Sequence, residues 1–132
     1  MVGDWVDQDA DATVRTRCEW ANNHKFLTSH FDVTTGDALE LEGTQVIGWD
    51  PVAERIRSWI FDSEGGFGEG VWQRDGNQWT VQYKSTQADG SQSSSTNVYS
   101  LLDDRTFTWK SVERQVDGQL QPDIAEVPVY RQ

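Results

Sequence analysis

The stretch RIRSWIFDSEGGFGEGVWQRDGNQWTVQYK, residues 55–84, decides the fold. Large apolar side chains alternate with polar ones along three short runs, which are separated by Ser63-Glu64-Gly65-Gly66 and by Asp75-Gly76. A period of two marks half-buried strands, whereas an amphipathic helix repeats every three to four residues. Asp-Gly suits the positive φ angles of a two-residue hairpin loop. With such a loop at Asp75-Gly76, Trp72 faces Trp79, Gly70 faces Val81 and Gly68 faces Tyr83. With a four-residue loop at Ser63-Glu64-Gly65-Gly66, Phe61 faces Gly68, Trp59 faces Gly70 and Arg57 faces Trp72.

The same reasoning extends in both directions. A turn at Asp89-Gly90 pairs Tyr83 with Thr96 and Val81 with Val98, and the Asp103-Asp104 loop pairs Val98 with Trp109 and Ser100 with Phe107. One face then carries Arg57, Trp59, Phe61, Trp72, Trp79, Val81, Tyr83, Val98, Phe107 and Trp109, with Glu113 further along it. The opposite face is mostly polar, with Ile56, Ile60, Phe67, Val71, Tyr99 and Leu101 as exceptions. Towards the amino terminus, an Asn22-Asn23 turn pairs Cys18 with Leu27, and a Thr35-Gly36-Asp37 loop pairs Val33 with Leu39. Joining Ile47 to this face through Asp50-Pro51 requires an odd loop or a bulge.

Apolar runs near 13–21, 24–34, 38–49, 54–62, 67–74, 77–87, 92–102, 105–115 and 124–131 complete the pattern. Strands joined by tight loops run antiparallel, and no segment is long enough for a parallel crossover. A sheet with one lined face must hide it, and closure also removes exposed edges. The expectation is an all-β, antiparallel up-and-down barrel of eight to ten strands, forming one domain over residues 1–132.

Composition narrows the function. The 132 residues hold 22 acidic and 11 basic side chains, a formal charge of −11, which argues against nucleic acid or an anionic membrane as partner. The acids are spread along the chain, as a solvated face requires. The segment MVGDWVDQDADA has no basic run followed by an apolar one, and no stretch approaches the roughly 18 apolar residues that span a bilayer, so a cytoplasmic location is expected. The single cysteine, Cys18, excludes an internal disulfide and a cysteine-rich zinc site.

Two motifs carry a resemblance. Gly3-Asp4-Trp5 resembles the Gly-x-Trp signature of the calycins, the superfamily of lipocalins and fatty-acid-binding proteins. That likeness implies that Trp5 closes one end of the barrel and that Arg131 stacks across it. The series Gly43-Thr44-Gln45-Val46-Ile47-Gly48-Trp49-Asp50-Pro51, Arg57-Ser58-Trp59-Ile60-Phe61-Asp62-Ser63 and Gly65-Gly66-Phe67-Gly68-Glu69-Gly70 resembles an uncharacterised family of bacterial lipocalin-like domains. Members often follow a polyketide-cyclase-like (SnoaL-like) cone domain. The family has no established chemistry to transfer. Some small calycin barrels hold haem through a histidine near the last strand, but residues 123–132 contain none.

No catalytic constellation emerges. Cys18 faces Leu27 with no neighbouring histidine, and no serine occupies a Gly-x-Ser-x-Gly elbow. Asp62 and Glu69 form a carboxylate pair on the outer face, an arrangement that 22 acids make common. His24 and His30 have no cluster of ligand-spaced partners, so neither a metal nor another cofactor is expected. The leading expectation is a non-enzymatic binding domain for a small apolar or amphipathic molecule. Trp59, Phe61, Trp72, Val98 and Trp109 would line its pocket, with Arg57, Tyr83 and Glu113 as polar contacts. The alternative is a filled barrel serving as an interaction module, docked on a copy of itself or on a cone domain through its outer apolar residues. A small hydrolase or isomerase-like enzyme ranks third.

Overall fold

The computed structural model describes residues 1–8 and 11–132, and it contains no helix among them. The strands are β1 (Gly3–Gln8), β2 (Thr13–Ala21), β3 (Phe26–Thr35), β4 (Ala38–Asp50), β5 (Arg55–Asp62), β6 (Phe67–Asp75), β7 (Gln78–Thr86), β8 (Gln92–Leu101), β9 (Thr106–Val116), β10 (Gln119–Leu120) and β11 (Ile124–Arg131). Every pairing is antiparallel between chain neighbours from β1 to β9. The last strand, β11, then bonds to both β9 and β1 and closes the ring. The result is a closed ten-stranded up-and-down barrel, with β10 as a short extension of β9. Closure leaves no long free edge to template aggregation.

Two loops correct the sequence-based register. Asp62 and Gly66 close a three-residue loop: Asp62 N–H donates to Gly66 O (3.0 Å), and Gly65 N–H donates to Asp62 O (3.1 Å). Gly65 has a φ of 90°, the left-handed position such a loop requires, and Asp62 Oδ1 accepts from the N–H groups of Glu64 and Gly66. Phe61 therefore faces Phe67 rather than Gly68. A slip of one residue reverses the faces of a strand. Ile56, Ser58 and Ile60 point inward, and Arg57, Trp59 and Phe61 point outward.

The loop between β7 and β8 repeats this construction, with Gln87 N–H donating to Ser91 O and Gly90 at a φ of 86°. Tyr83 faces Ser95 rather than Thr96, so β8 is reversed as well. Ser95, Asn97, Tyr99 and Leu101 are inward, and Val98 and Thr96 are outward. Across the next seam Trp109 faces Tyr99, not Val98.

Elsewhere the corrections preserve the faces. Trp72 pairs with Val81 and Cys18 with Ser29, each two residues away from the expected partner. Ile47 faces Ser58 inside the barrel, so the Asp50-Pro51 joint needs no odd loop. Leu39 lies beyond an irregularity in β3–β4 pairing and is 57% exposed, while Leu41 takes its place opposite Val33.

Candidate functional site

Strand direction gives the barrel two distinct ends. One end gathers residues 22–25, 51–54, 76–77 and 102–105 together with both chain termini. Its interior is aromatic. Trp72 stacks on Tyr99 with ring centres 5.5 Å apart, Trp79 meets Trp72 edge-on at 6.2 Å, and Phe107 lies 6.0 Å from Tyr99 and 4.8 Å from Trp5. Leu27, Ile47, Ile56 and Val81 pack around this group. Offset and edge-on ring pairs are the arrangements that the aromatic quadrupole favours.

Two polar contacts hold the rings in place. Trp72 Nε1 donates to Ser58 Oγ at 2.9 Å in a buried bond, and Trp5 Nε1 donates to Met1 O at 2.9 Å. Arg131, the cross-strand partner of Trp5, lies over its ring at 4.5 Å. Its Nε donates to Asp104 O and its Nη1 to Val2 O. Both ends of the chain are tied to the barrel rim by this one guanidinium. The barrel is calycin-like.

Among these rings lies a cavity of 70 Å³, lined by Trp5, Trp72, Trp79, Tyr99 and Phe107, with Met1, Leu101, Asp103, Asp104 and Arg131 at its mouth. Burial pushes the Tyr99 phenol up to about 12, so it is neutral across the physiological range. Further along the interior, hydroxyls replace rings. Ser29, Ser58 and Ser111 are buried, Ser85 and Ser93 touch through their hydroxyls, and Tyr83 rests against Gly68, where a side chain would collide with its ring. Burial also raises the Tyr83 phenol, and the charge on Asp62 adds to that.

The residues expected to bind a ligand are therefore divided between the two faces. Trp72, Tyr83 and Trp109 project into the barrel. Trp59, Phe61 and Val98 are on the outer face, Phe61 with 59% of its surface exposed and Val98 covered by its neighbours to 9%. Arg57 also lies outside, bonded to Asp50 (3.3 Å) and Glu69 (3.2 Å) and stacked over Trp59. It is half-buried and paired on the outer face, and is unavailable as an interior headgroup contact. Glu113 occupies a bulge at a φ of 52° and accepts from Thr96 Oγ1 on the outer face. Sequence reasoning placed Trp79 and Phe107 inside without recognising a pocket there, and placed Tyr99 outside. The sign that Tyr99 belonged inside was its size on a supposedly wet face.

Larger depressions lie on the outer wall. One of 810 Å³ crosses β1 to β5 among charged residues such as Arg15, Arg17, His30 and Glu42. A second, of 330 Å³, adjoins it at Phe61 and includes Trp59, Phe67, Glu69 and Lys84. Both are open to solvent and are bordered by side chains that project from the outer face of the sheet. Among the described residues no group of three histidine, cysteine or acidic side chains could hold a metal ion, and no helix is long and apolar enough to cross a membrane. Cys18 is buried, which raises its thiol and makes it a poor nucleophile.

No protein-family model matches the sequence. No curated protein matches it either.

Proposed function

We propose that the protein is a non-enzymatic binding domain for a small apolar or amphipathic molecule, whose apolar part enters the aromatic end of the barrel. The cavity among Trp5, Trp72, Trp79, Tyr99 and Phe107 carries this reading. Binding pockets combine apolar walls with a few placed polar groups, and here the rings supply the walls while Asp103, Asp104 and Arg131 border the mouth. Of the residues expected from the sequence to line a pocket, Trp72 retains that role in this proposal; Trp109 and Tyr83 face the interior outside this cavity's lining, and Arg57, Trp59, Phe61, Val98 and Glu113 lie on the outer face. Titration with 1-hexanol, followed through the fluorescence of the cavity tryptophans, tests it. Saturable binding at one site, weakened by Trp79→Ala, is the expected result. Absence of saturable binding, or affinity indifferent to Trp79, overturns the reading.

A second reading rests on the outer wall. Phe61 and Phe67 are cross-strand partners that remain 59% and 52% exposed, and Val71 nearby is 38% exposed. A contiguous apolar surface of this kind suits docking on a second copy of the chain or on a cone domain of the type suggested by residues 43–70. Sedimentation of the wild type beside Phe61→Ser/Phe67→Ser decides it for the self-association case: an unchanged monomer excludes a second copy.

A further inference from the structure

We propose that the aromatic end of the barrel docks on a zwitterionic phospholipid surface, with Trp20, Trp49 and Val52 entering the interfacial layer. The inward-facing alternation of β2 and β4 passes through Cys18 and Ile47, both buried, and reaches Trp20 and Trp49 at the strand ends. No further layer covers them there: Trp20 is 49% exposed and Trp49 59%. Of the seven tryptophans only these two are exposed, and both stand on this rim. Val52 follows at the tip of the next loop, 94% exposed. Asp50 Oδ1 accepts from the N–H groups of Val52 and Ala53 and so fixes that tip. Met1, Leu101 and Leu102 are exposed elsewhere around the same rim. Apolar residues spread over one end of a barrel meet a flat partner together. Tryptophan concentrates where membrane meets water, its ring against the acyl boundary and its N–H among the headgroups.

Charge decides the kind of surface. The strand ends and loops here, residues 20–25, 49–55, 74–77 and 101–105 with Arg131, hold five basic and five acidic side chains. The other six basic and seventeen acidic residues lie elsewhere in the chain and account for the whole formal charge of −11. An acidic barrel is thus balanced at the end that exposes tryptophan. A zwitterionic headgroup layer matches that balance, whereas an anionic one repels the acidic remainder.

Docking in this way turns the cavity's mouth, at Met1 and Leu101, towards the lipid. An apolar ligand then enters from the acyl layer without crossing water. That consequence rests on the binding-domain reading; the docking itself does not.

Sedimentation of the full chain with phosphatidylcholine vesicles, read beside the blue shift of tryptophan emission, tests the proposal. The wild type is expected to bind, and Trp49→Ser/Val52→Ser to lose about tenfold or more in partition. Val52→Asp, a change on the exposed tip alone, is expected to weaken binding as well. Leu39→Ser/Leu120→Ser removes two exposed apolar side chains from the opposite end and is expected to leave binding unchanged. Circular dichroism confirms that the variants are folded. Vesicles containing about 30% phosphatidylserine are expected to bind more weakly at low salt. Absence of binding to phosphatidylcholine, or equal losses at the two ends, overturns the proposal. Tighter binding to phosphatidylserine overturns the zwitterionic assignment. A dimer that Trp49→Ser/Val52→Ser dissolves, without vesicle binding, gives the rim to a second copy and overturns docking on lipid. Binding of 1-hexanol that persists where vesicle binding fails leaves the binding domain standing; vesicle binding without 1-hexanol binding supports docking and overturns the cavity reading.

Discussion

Ser58→Ala is the most economical test of the barrel's inner wall. Ser58 is 2% exposed, and its hydroxyl is the acceptor for Trp72 Nε1 at 2.9 Å. Gly70 faces it across the sheet, so close that an added side chain would lie 2.7 Å from Ser58 Oγ. Removing one oxygen from so tight a site leaves a void too small for a replacement water, and the indole N–H loses its acceptor. A buried donor stranded in this way costs about 1–3 kcal/mol. Unfolding entropy near 60 °C is about 2.1 cal/mol/K per residue, or roughly 0.28 kcal/mol/K for this chain, so a loss of about 2 kcal/mol lowers Tm by about 7 °C. Were β5 facing the other way, Ser58 would be a surface residue and its substitution worth under about 0.5 kcal/mol, a shift below about 2 °C. Thermal melts followed by circular dichroism separate the two cases. A coupling of about 1 kcal/mol or more between Ser58→Ala and Trp72→Phe would tie the loss to this hydrogen bond. A drop in Tm under about 2 °C refutes both the bond and the orientation of β5.

Other expectations follow from the same geometry. Arg57→Met removes a half-buried pair to Asp50 and a more exposed one to Glu69 and is expected to cost about 1–2 kcal/mol, with 1-hexanol affinity unchanged; loss of binding would place Arg57 in the site after all. Arg131→Met removes the cation from the Trp5 face and two bonds to backbone oxygens, and denaturant titration is expected to show a loss of about 1–3 kcal/mol. Unchanged stability would show that the termini are held without it. Tyr99 ionises at about 12 when folded but near 10 when unfolded. The folded state thus keeps a proton that the unfolded state gives up. The resulting stabilisation is complete below pH 10 and is lost between pH 10 and 12, at no more than about 1.4 kcal/mol per pH unit. Phenolate absorbance should show at least one tyrosine titrating well above the others; a single wave near pH 10 contradicts its burial.

How much of this was legible in the sequence turns on whether each loop holds an odd or an even number of residues. Alternation and turn residues were enough for an all-β barrel, because those signals are local. At Asp117-Gly118 the dipeptide forms the expected two-residue turn, both residues having positive φ. At Asp75-Gly76 the loop is instead Gly76-Asn77, and at Asn22-Asn23 it spans residues 22–25. Both misplacements change the pairing by two residues, which moves partners along the strand but keeps every side chain on its face. Trp72, Trp79, Tyr83, Cys18 and Phe31 were therefore assigned to the correct side. The loops ending in Gly65 and Gly90 change the pairing by one, and everything on β5 and β8 crosses the sheet.

Hydrophobicity alone does not choose the face of those two strands. On β5, Ile56 and Ile60 compete with Trp59 and Phe61; on β8, Tyr99 and Leu101 compete with Val98. What decides is backbone geometry: glycine in third place in the loop takes the left-handed conformation, and at β5–β6 the Asp62 carboxylate binds the turn's N–H groups. The contradiction was already visible in the sequence. Four of the six apolar residues left on the wet face, Ile56, Ile60, Tyr99 and Leu101, lie on the two reversed strands, and reversing β5 also removes the odd loop demanded at Asp50-Pro51. Phe67 and Val71 belong to a correctly oriented strand and remain outside. Apolar exceptions that share a strand mark an error of register. Those that persist after its correction, as beside Phe61, mark a surface that water alone does not account for.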